Sequence, residues 1–330
     1  MKAMYHTGKN GLEGLQYTSE APAKAPGYGE VRIRLKAAGI NHRDLFIMND
    51  RTAQDSPLIP GSDGAGIIEE IGEGVDAFRK GDEVIIHPTL GWNHAADVPA
   101  VPGIVGGPDH GTLAECITLP ADNALPKPVM LSWEEAGVLS LSTLTAYRAL
   151  FTRGNLLAGE HVLIPGIGGG VATSALLLAK AAGACVTVTS RSEAKRAEAL
   201  RLGANQTFDS HGDWQKENAL GPVDLVMDSI GQSLFSRYFE MLRPGGRIVM
   251  YGASSGDELK VPIRAIFFPQ VSLLGTSMGS REEYVQMLEY IGRHHIRPVI
   301  DRAYSLENTR SAFERIAQGE QFGNIAIRID

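Results

Sequence analysis

The first 120 positions place apolar residues at short, regular intervals. "EVRIRLKAAG" (30–39) alternates, and "GAGIIEEIGEG" (64–74) and "GDEVIIHP" (81–88) are apolar runs bounded by glycine turns. Such runs predict short strands and, together, an all-β body. At 132 the period changes. "SWEEAGVLSLSTLTAYRALF" reads as an apolar helix opened by a capping box, with Ser132 as cap and Glu135 three residues on. Strand and helix patterns then alternate through HVLIPG, GGVATSALLLAKAAG, CVTVTS, SEAKRAEALRLG, VDLVMDSI, QSLFSRYFEML and GRIVMYG. Apolar strands separated by helices predict a parallel sheet covered on both faces. Beyond 264 come a further strand (VSLLGTS), a helix with Tyr284, Met287, Leu288 and Ile291 on one face, a short strand, another helix and a last strand (NIAIRI).

A chain of 330 residues is too long for one ordinary core and implies two domains. With a net charge of −7 it lacks the basic field of a nucleic-acid binder. Its two cysteines, Cys116 and Cys185, make neither a disulfide framework nor a four-cysteine zinc site, which fits a reducing cytoplasm. "MKAMYHTGKNGLEGL" has no apolar signal core, and no apolar run reaches membrane-spanning length, so a cytoplasmic protein with no membrane partner is expected.

The most informative stretch is "LIPGIGGGVATSALL" (163–177). Gly166 directly follows a strand. Gly168, Gly169 and Gly170 permit a tight turn and close approach to a pyrophosphate, and a helix starting near Gly169 or Gly170 aims free N–H groups at the anion, with Val171 in its first turn. Ala172, small enough for close helix–strand packing, stands in for a third glycine. These residues predict a dinucleotide cradle. Where an NAD site carries an acid on the ribose, the next strand ends "TVTSRSEAKR". Ser190 and Arg191 suit a 2′-phosphate, which a carboxylate would repel, so NADP(H) is the expected cofactor. Lys195 is grouped with them; Arg196 reads as part of a solvated helix face.

"KAAGINHRDLF", "IPGSDGAGIIEEIGEGVDAFRKGDEV", "GTLAECITLP", "STLTAYRAL", the glycine loop, "VDLVMDSIG", "RPGGRIVMYGASSG" and "EQFGNIAIRI" stand in an order that resembles the medium-chain dehydrogenase/reductase superfamily. The resemblance spans nearly the whole chain. It implies a GroES-like, mostly-β catalytic domain (1–122 with 265–330) and a doubly wound, parallel-sheet Rossmann domain (123–264). It also implies hydride transfer between the nicotinamide and an electrophilic carbon. Zinc members bring a Cys, a His–Glu pair and a second Cys or Asp to a catalytic metal; those positions here are Asn41, Ser62–Asp63 and Leu141. The lobe "HPTLGWNHAADVPAVPGIVGGPDHG" holds no cysteine, and His87, His94 and His110 read as loop residues. The likeness is therefore to the zinc-independent, quinone oxidoreductase-like branch, with no metal expected.

Without zinc, a developing oxyanion needs protein donors. Asn41 is a candidate donor, or else a turn-stabilising residue. By the resemblance Thr145 contacts the nicotinamide, His42 the pyrophosphate, and Asn324 stands where a basic phosphate contact is usual. Tyr147 is a candidate proton donor, or else core. Asp44 reads as a structural acceptor. Tyr251, Gly252 and Ala253 end a strand, where parallel-sheet ligands bind. "GASSG" (252–256) imitates a serine nucleophile elbow, but no helix is predicted after it, as that motif requires. The leading reading is an NADPH-dependent reductase of quinones, enones or aldehydes acting on a small-molecule substrate. An alcohol dehydrogenase and a non-catalytic NADPH-binding sensor or structural protein are the alternatives. The apolar strand at 271–279 is expected to pair across a homodimer, as in the family.

Overall fold

In the computed structural model, which describes residues 1–330, the alternating run forms β1 (Glu30–Ile40). Val31, Ile33 and Leu35 point into the core, while Arg34 on the other face is exposed. β1 pairs antiparallel with β2 (Asp63–Ile71), and Arg32 and Arg34 grip Glu69 across that pair. β3 (Glu83–Ile86) follows beside β2, β4 (Cys116–Pro120) pairs with β1, and β5 (Ala124–Pro126) lies beside β3. Helix α1 (His42–Asp50) starts immediately after β1.

The capping box at 132 forms: Glu135 N donates to Ser132 Oγ (3.2 Å) and Ser132 N to Glu135 Oε2 (2.8 Å). The single helix expected after it does not. α2 (Trp133–Gly137) stops, and α3 (Ser140–Tyr147) starts again. Gly137 lies so close to β1 that a Cβ there would stand 2.7 Å from the Ala37 side chain. Backbone contact with the sheet thus fixes a poor helix former at the break. Beyond α3 the chain runs on as a π-helix through Arg148–Arg153.

The second unit follows in chain order: β6 (His161–Ile164), α4 (Gly170–Ala181), β7 (Cys185–Ser190), α5 (Glu193–Arg201), β8 (Gln206–Asp209), β9 (Val223–Asp228), α6 (Phe235–Met241), β10 (Leu242–Met250), α7 (Ile263–Phe267) and β11 (Ser272–Gly275). Every strand pair is parallel, in the order β8-β7-β6-β9-β10-β11. This is the doubly wound Rossmann order, reversing direction between β6 and β9. Val162, Leu163, Ile164, Val186, Val188, Leu225 and Val226 are all buried, as strands covered on both faces require. No helix follows "GASSG" directly; the next, α7, starts at Ile263.

α8 (Arg281–His294) buries Tyr284, Met287 and Ile291, with Leu288 half-buried. β12 (Ile300–Ser305), α9 (Thr309–Ala317) and β13 (Asn324–Arg328) complete the chain. β13 runs parallel to β12 and antiparallel to β1, so the last strand sits inside the first unit's sheet, whose order is β12-β13-β1-β2-β3-β5. The two compact units are Met1–Leu144 with Gly279–Asp330, and Thr145–Met278. They change over further along the chain than residues 122 and 264, because β5 still belongs to the first sheet and β11 to the second. No helix is long and apolar enough to cross a membrane.

Candidate functional site

In the second unit, a cavity of about 520 Å³ is lined by residues at and just beyond the carboxyl ends of the strands. Gly166 and Ile167 follow β6, and Ser190, Arg191 and Lys195 lie at and after the end of β7. Ser210 and His211 follow β8, Ile230, Ser233 and Leu234 follow β9, and Ser254 and Ser255 follow β10. The crevice outside the carboxyl ends of such a sheet is where Rossmann folds take ligands.

The glycine loop is shaped by its backbone. Gly166 has φ +71° and Gly168 φ +145°, conformations that residues with a side chain rarely adopt. A Cβ on Gly166 would lie 2.6 Å from Ile230 Cδ1 and push that side chain aside, adding to the demand its φ already makes for glycine. The loop is pinned to β7, with Gly166 N donating to Thr189 Oγ1 (3.2 Å) and Ile167 N to the Thr189 carbonyl (2.8 Å). Gly169 caps α4 and Gly170 opens it, so the N–H groups of the first turn, Val171 among them, have no partner within the helix. Ala172 is buried. The residues present therefore fit a pyrophosphate: a cradle that a Cβ would fill, ending at a helix N-terminus.

At the far wall, Ser190 Oγ accepts from Ser192 N (3.1 Å), and Arg191 is exposed at the cavity rim. Arg196 departs from the expected solvated face. Its side chain is 19% exposed, and Nη1 donates to the Ser190 carbonyl (2.6 Å) and to Asp209 Oδ2 (2.9 Å). The reason is tertiary: β8 brings Asp209 beside α5, and Arg196 braces the strand ends while pairing with that carboxylate. No Asp or Glu lines the cavity itself. On β9, Asp228 Oδ1 accepts from Ile230 N, Gly231 N and Tyr238 Oη, holding the turn that carries Ile230; burial is the main cause raising its carboxyl pKa.

Other expected residues of this unit lie elsewhere. Tyr251 N donates to the Asp228 carbonyl (2.9 Å), and Gly252 and Ala253 are exposed after β10. Thr145 is buried, its Oγ1 3.8 Å from Met278 Sδ, and the Tyr147 ring packs 5.0 Å from that of Phe151. Cavity residues 167, 210, 211, 230, 233, 234, 254 and 255 are not among the expected cofactor contacts. The signal for them was their place after strands β6, β8, β9 and β10.

In the first unit, the positions where zinc relatives carry ligands are joined to one another. Asn41 caps α1, and its Nδ2 donates to Asp63 Oδ2 at 2.8 Å. Leu141 N donates to Asp63 Oδ1 at 2.6 Å, and Ser62 Oγ donates to the Val105 carbonyl at 2.7 Å. Asp63 is buried, which pushes its carboxyl up to about 7 against the pull of the Asn41 and Leu141 hydrogen bonds. Asp44 takes the structural role expected of it. Its Oδ2 accepts from Asn41 N (2.7 Å), and burial pushes it up to about 6. His42 is exposed in the first turn of α1. Asn324 is buried, accepting from Ser142 Oγ (3.0 Å) and donating to the Val299 carbonyl (3.2 Å).

This corner does not fit zinc, which needs about four thiolate, imidazole or carboxylate donors. Asp63 is the sole such group at these positions, and both its oxygens are engaged. The lobe histidines are apart. His87 is buried against Tyr284 (centroids 4.9 Å apart) and pushed down to about 4 by burial. His94 is exposed, and His110 Nδ1 accepts from Ile59 N. No three His, Cys, Asp or Glu side chains stand close enough to share an ion.

Comparison with known proteins gives two family matches. Residues 27–129 match the alcohol dehydrogenase GroES-like domain and residues 170–293 the zinc-binding dehydrogenase family. The chain is 35% identical to the "Zinc-type alcohol dehydrogenase-like protein YogA" of Leptosphaeria maculans, over 92% of each chain. It is 30% identical to the quinone oxidoreductase of Rattus norvegicus, over 93% of this chain and 91% of that one. A crystal structure titled as an NAD-dependent alcohol dehydrogenase superposes with a TM-score of 0.93 at 33% identity, over 100% of both chains. Likeness of this degree along the whole length, through both sheets and the glycine loop, makes the chain a member of the medium-chain dehydrogenase/reductase superfamily and a general NAD(P)-dependent oxidoreductase.

Proposed function

We propose that the protein is a zinc-independent, NADPH-dependent reductase of quinones, enones or aldehydes. The observation that carries the cofactor assignment is the far wall of the second unit's cavity. Ser190, Arg191 and Lys195 line it, no carboxylate does, and the nearby Asp209 is bridged to Arg196. An Asp or Glu there would favour the free ribose hydroxyl of NAD; a guanidinium and a hydroxyl favour a phosphate. When bound, the cofactor supplies a hydride. The chain's part is to seat the pyrophosphate on the first turn of α4, with Gly166, Gly168, Gly169, Gly170 and Val171, and to hold the 2′-phosphate on Ser190, Arg191 and Lys195. Tyr251, Gly252 and Ala253 close the strand-end side, and Thr145 contacts the nicotinamide. In the first unit, Asn41 has an amide N–H beyond the one given to Asp63 and donates it to the acceptor's oxygen. Tyr147 is the proton donor of this reading.

The zinc-independent part rests on the donor chemistry of Asn41, Ser62, Asp63 and Leu141. The test pairs fluorescence titration of NADPH and NADH with turnover of a quinone, an enone and an aldehyde. Tighter NADPH binding with turnover of one of these classes is expected. Equal affinity for the two cofactors would overturn the cofactor assignment, and tight binding without turnover would leave a sensor. Carbonyl–alcohol interconversion is the second reading, favoured by the names of several relatives; oxidation of alcohols but no reduction of quinone or enone would install it.

Two further parts of the proposal concern context. β11 is the edge strand of its sheet, and Ile263, Phe267 and Phe268 just before it are exposed. An unpaired apolar edge is an association hazard unless it is covered, and we assign its cover to a second copy through residues 271–279. Light scattering is expected to give a dimer; a monomer at micromolar concentration refutes it. The paucity of cysteine supports a cytoplasmic location.

A further inference from the structure

Arg43 lies in the first turn of α1 and bonds only to neutral groups. Nη1 donates to Ser62 Oγ at 3.1 Å and Nη2 to the Gly107 carbonyl at 2.9 Å. Asp44, the charged group acting on it, is itself turned to the Asn41 backbone. Three features of this placement are unfavourable for a cation. Its guanidinium is partly desolvated, burial pulling its pKa below the usual arginine value. It has no carboxylate within ion-pair distance, and a positive charge in a helix's first turn opposes the macrodipole. Arginine carries five N–H donors and stays charged. Arg43 uses two of them here, and its Nε is not sealed from the surface, unlike those of Arg51 and Arg247. Its anchor, Ser62, adjoins the Asp63 that holds Asn41, at positions where zinc relatives place metal ligands.

We infer that Arg43 supplies the positive charge at this corner, donating hydrogen bonds to a substrate oxygen that carries or develops negative charge. The inference rests on the hydride-transfer reading. When a hydride adds to an aldehyde or enone carbon, the electron pair of the π system ends on the carbonyl oxygen, and a proton, from Tyr147 in that reading, later completes the product. The oxygen held by Arg43 is either that carbonyl oxygen or a carboxylate elsewhere on the acceptor. Both present the same charge to a planar fork.

The test uses the full chain with Arg43→Met and Arg43→Lys, and carboxybenzaldehyde against its methyl ester as acceptors. If Arg43 holds the reacting oxygen, Arg43→Met lowers kcat for both acceptors by roughly 100-fold, the scale of losing one oxyanion donor, and Arg43→Lys recovers part of it. If Arg43 holds a carboxylate, Arg43→Met raises KM for the acid alone. Unchanged parameters for both acceptors in a folded Arg43→Met would overturn the inference. The two hydrogen bonds also fasten α1 to Ser62 and Gly107, so melting temperatures are measured alongside, and millimolar guanidinium is added to Arg43→Ala. A purely structural role predicts lower stability without this rescue and overturns the inference. Benzoate binding, read by calorimetry, separates failure here from failure of the reductase reading. If the wild type reduces no acceptor, benzoate that binds it but not Arg43→Met still upholds the site; equal binding, or none, overturns it.

Discussion

The glycine-loop end of the second unit and the Asn41–Asp63 corner of the first represent two ways of building a polar site. The first is made of backbone. Its essentials are positive φ angles, a close approach to Ile230 and the start of α4, so side chains matter there mainly by being absent. The second is made of side chains that hold one another: Asn41 to Asp63, Asp63 to Leu141 N, Ser62 to Arg43. A backbone site tolerates no added atom at its tight points. A side-chain network depends instead on each donor meeting an acceptor, as Asn41 and Leu141 N meet the two oxygens of Asp63.

The largest effect expected from this contrast is at Gly166. Gly166→Val forces a β-branched residue to φ +71° and drives its side chain into Ile230, so dinucleotide binding should vanish in a calorimetric titration. Retained affinity would mean the loop is not a backbone site. Next comes Arg191→Ala: on the proposed 2′-phosphate assignment it removes a charge-assisted contact of about 1.5–3 kcal/mol, and it should weaken NADPH binding by roughly 10- to 150-fold while leaving NADH untouched. Equal losses for both cofactors would reduce Arg191 to a solvated loop residue.

Smaller effects belong to the other corner. Asp63 and Asp44 are raised in the folded state to about 7 and about 6 by burial. The folded protein therefore binds these protons more tightly than the unfolded chain, whose aspartates titrate near 4 (about 3.9). The contribution to stability is full below that value and is lost as pH rises through about 7. Asp63→Asn removes the larger share. Its amide sets an NH2 against the N–H of Asn41 or Leu141, so its melting temperature should lie below that of the wild type near about pH 5, and the gap should narrow near about pH 8 as the wild type alone loses stability. A wild-type melting temperature that does not fall across this window would refute the buried-acid account. The smallest effect expected is none: chelation should leave activity and melting temperature unchanged, and mass spectrometry should find no stoichiometric zinc.

The same contrast decides how far each site was legible in the sequence. Strand, glycine turn and helix follow one another directly, and their spacing alone placed the helix start near Gly169 or Gly170; it starts at Gly170. Local patterns likewise revealed the capping box at Ser132 and the buried face of α8. What escaped depends on residues far apart in the chain. Asn41 and Asp63 are 22 positions apart with no period linking them. Arg196 looks solvated on its own helix and is recruited only because β8 brings Asp209 to it. The break at Gly137 is set by contact with Ala37, a hundred positions earlier. Periodicity also gave no sign that the last strand is an interior one.

That interior position of β13, between β12 and β1, bears on how the chain is made. The ribosome delivers residues 145–278 as one uninterrupted stretch, so the Rossmann sheet receives all its strands while synthesis is still under way. β1 emerges long before it, yet waits through some three hundred residues for its neighbour β13, with part of its hydrogen-bonding edge open. Such an edge is a template for the wrong strand. Nascent chains paused before residue 324 should therefore be the form most in need of a chaperone, and deletion of β13 should yield aggregates with an intact second unit.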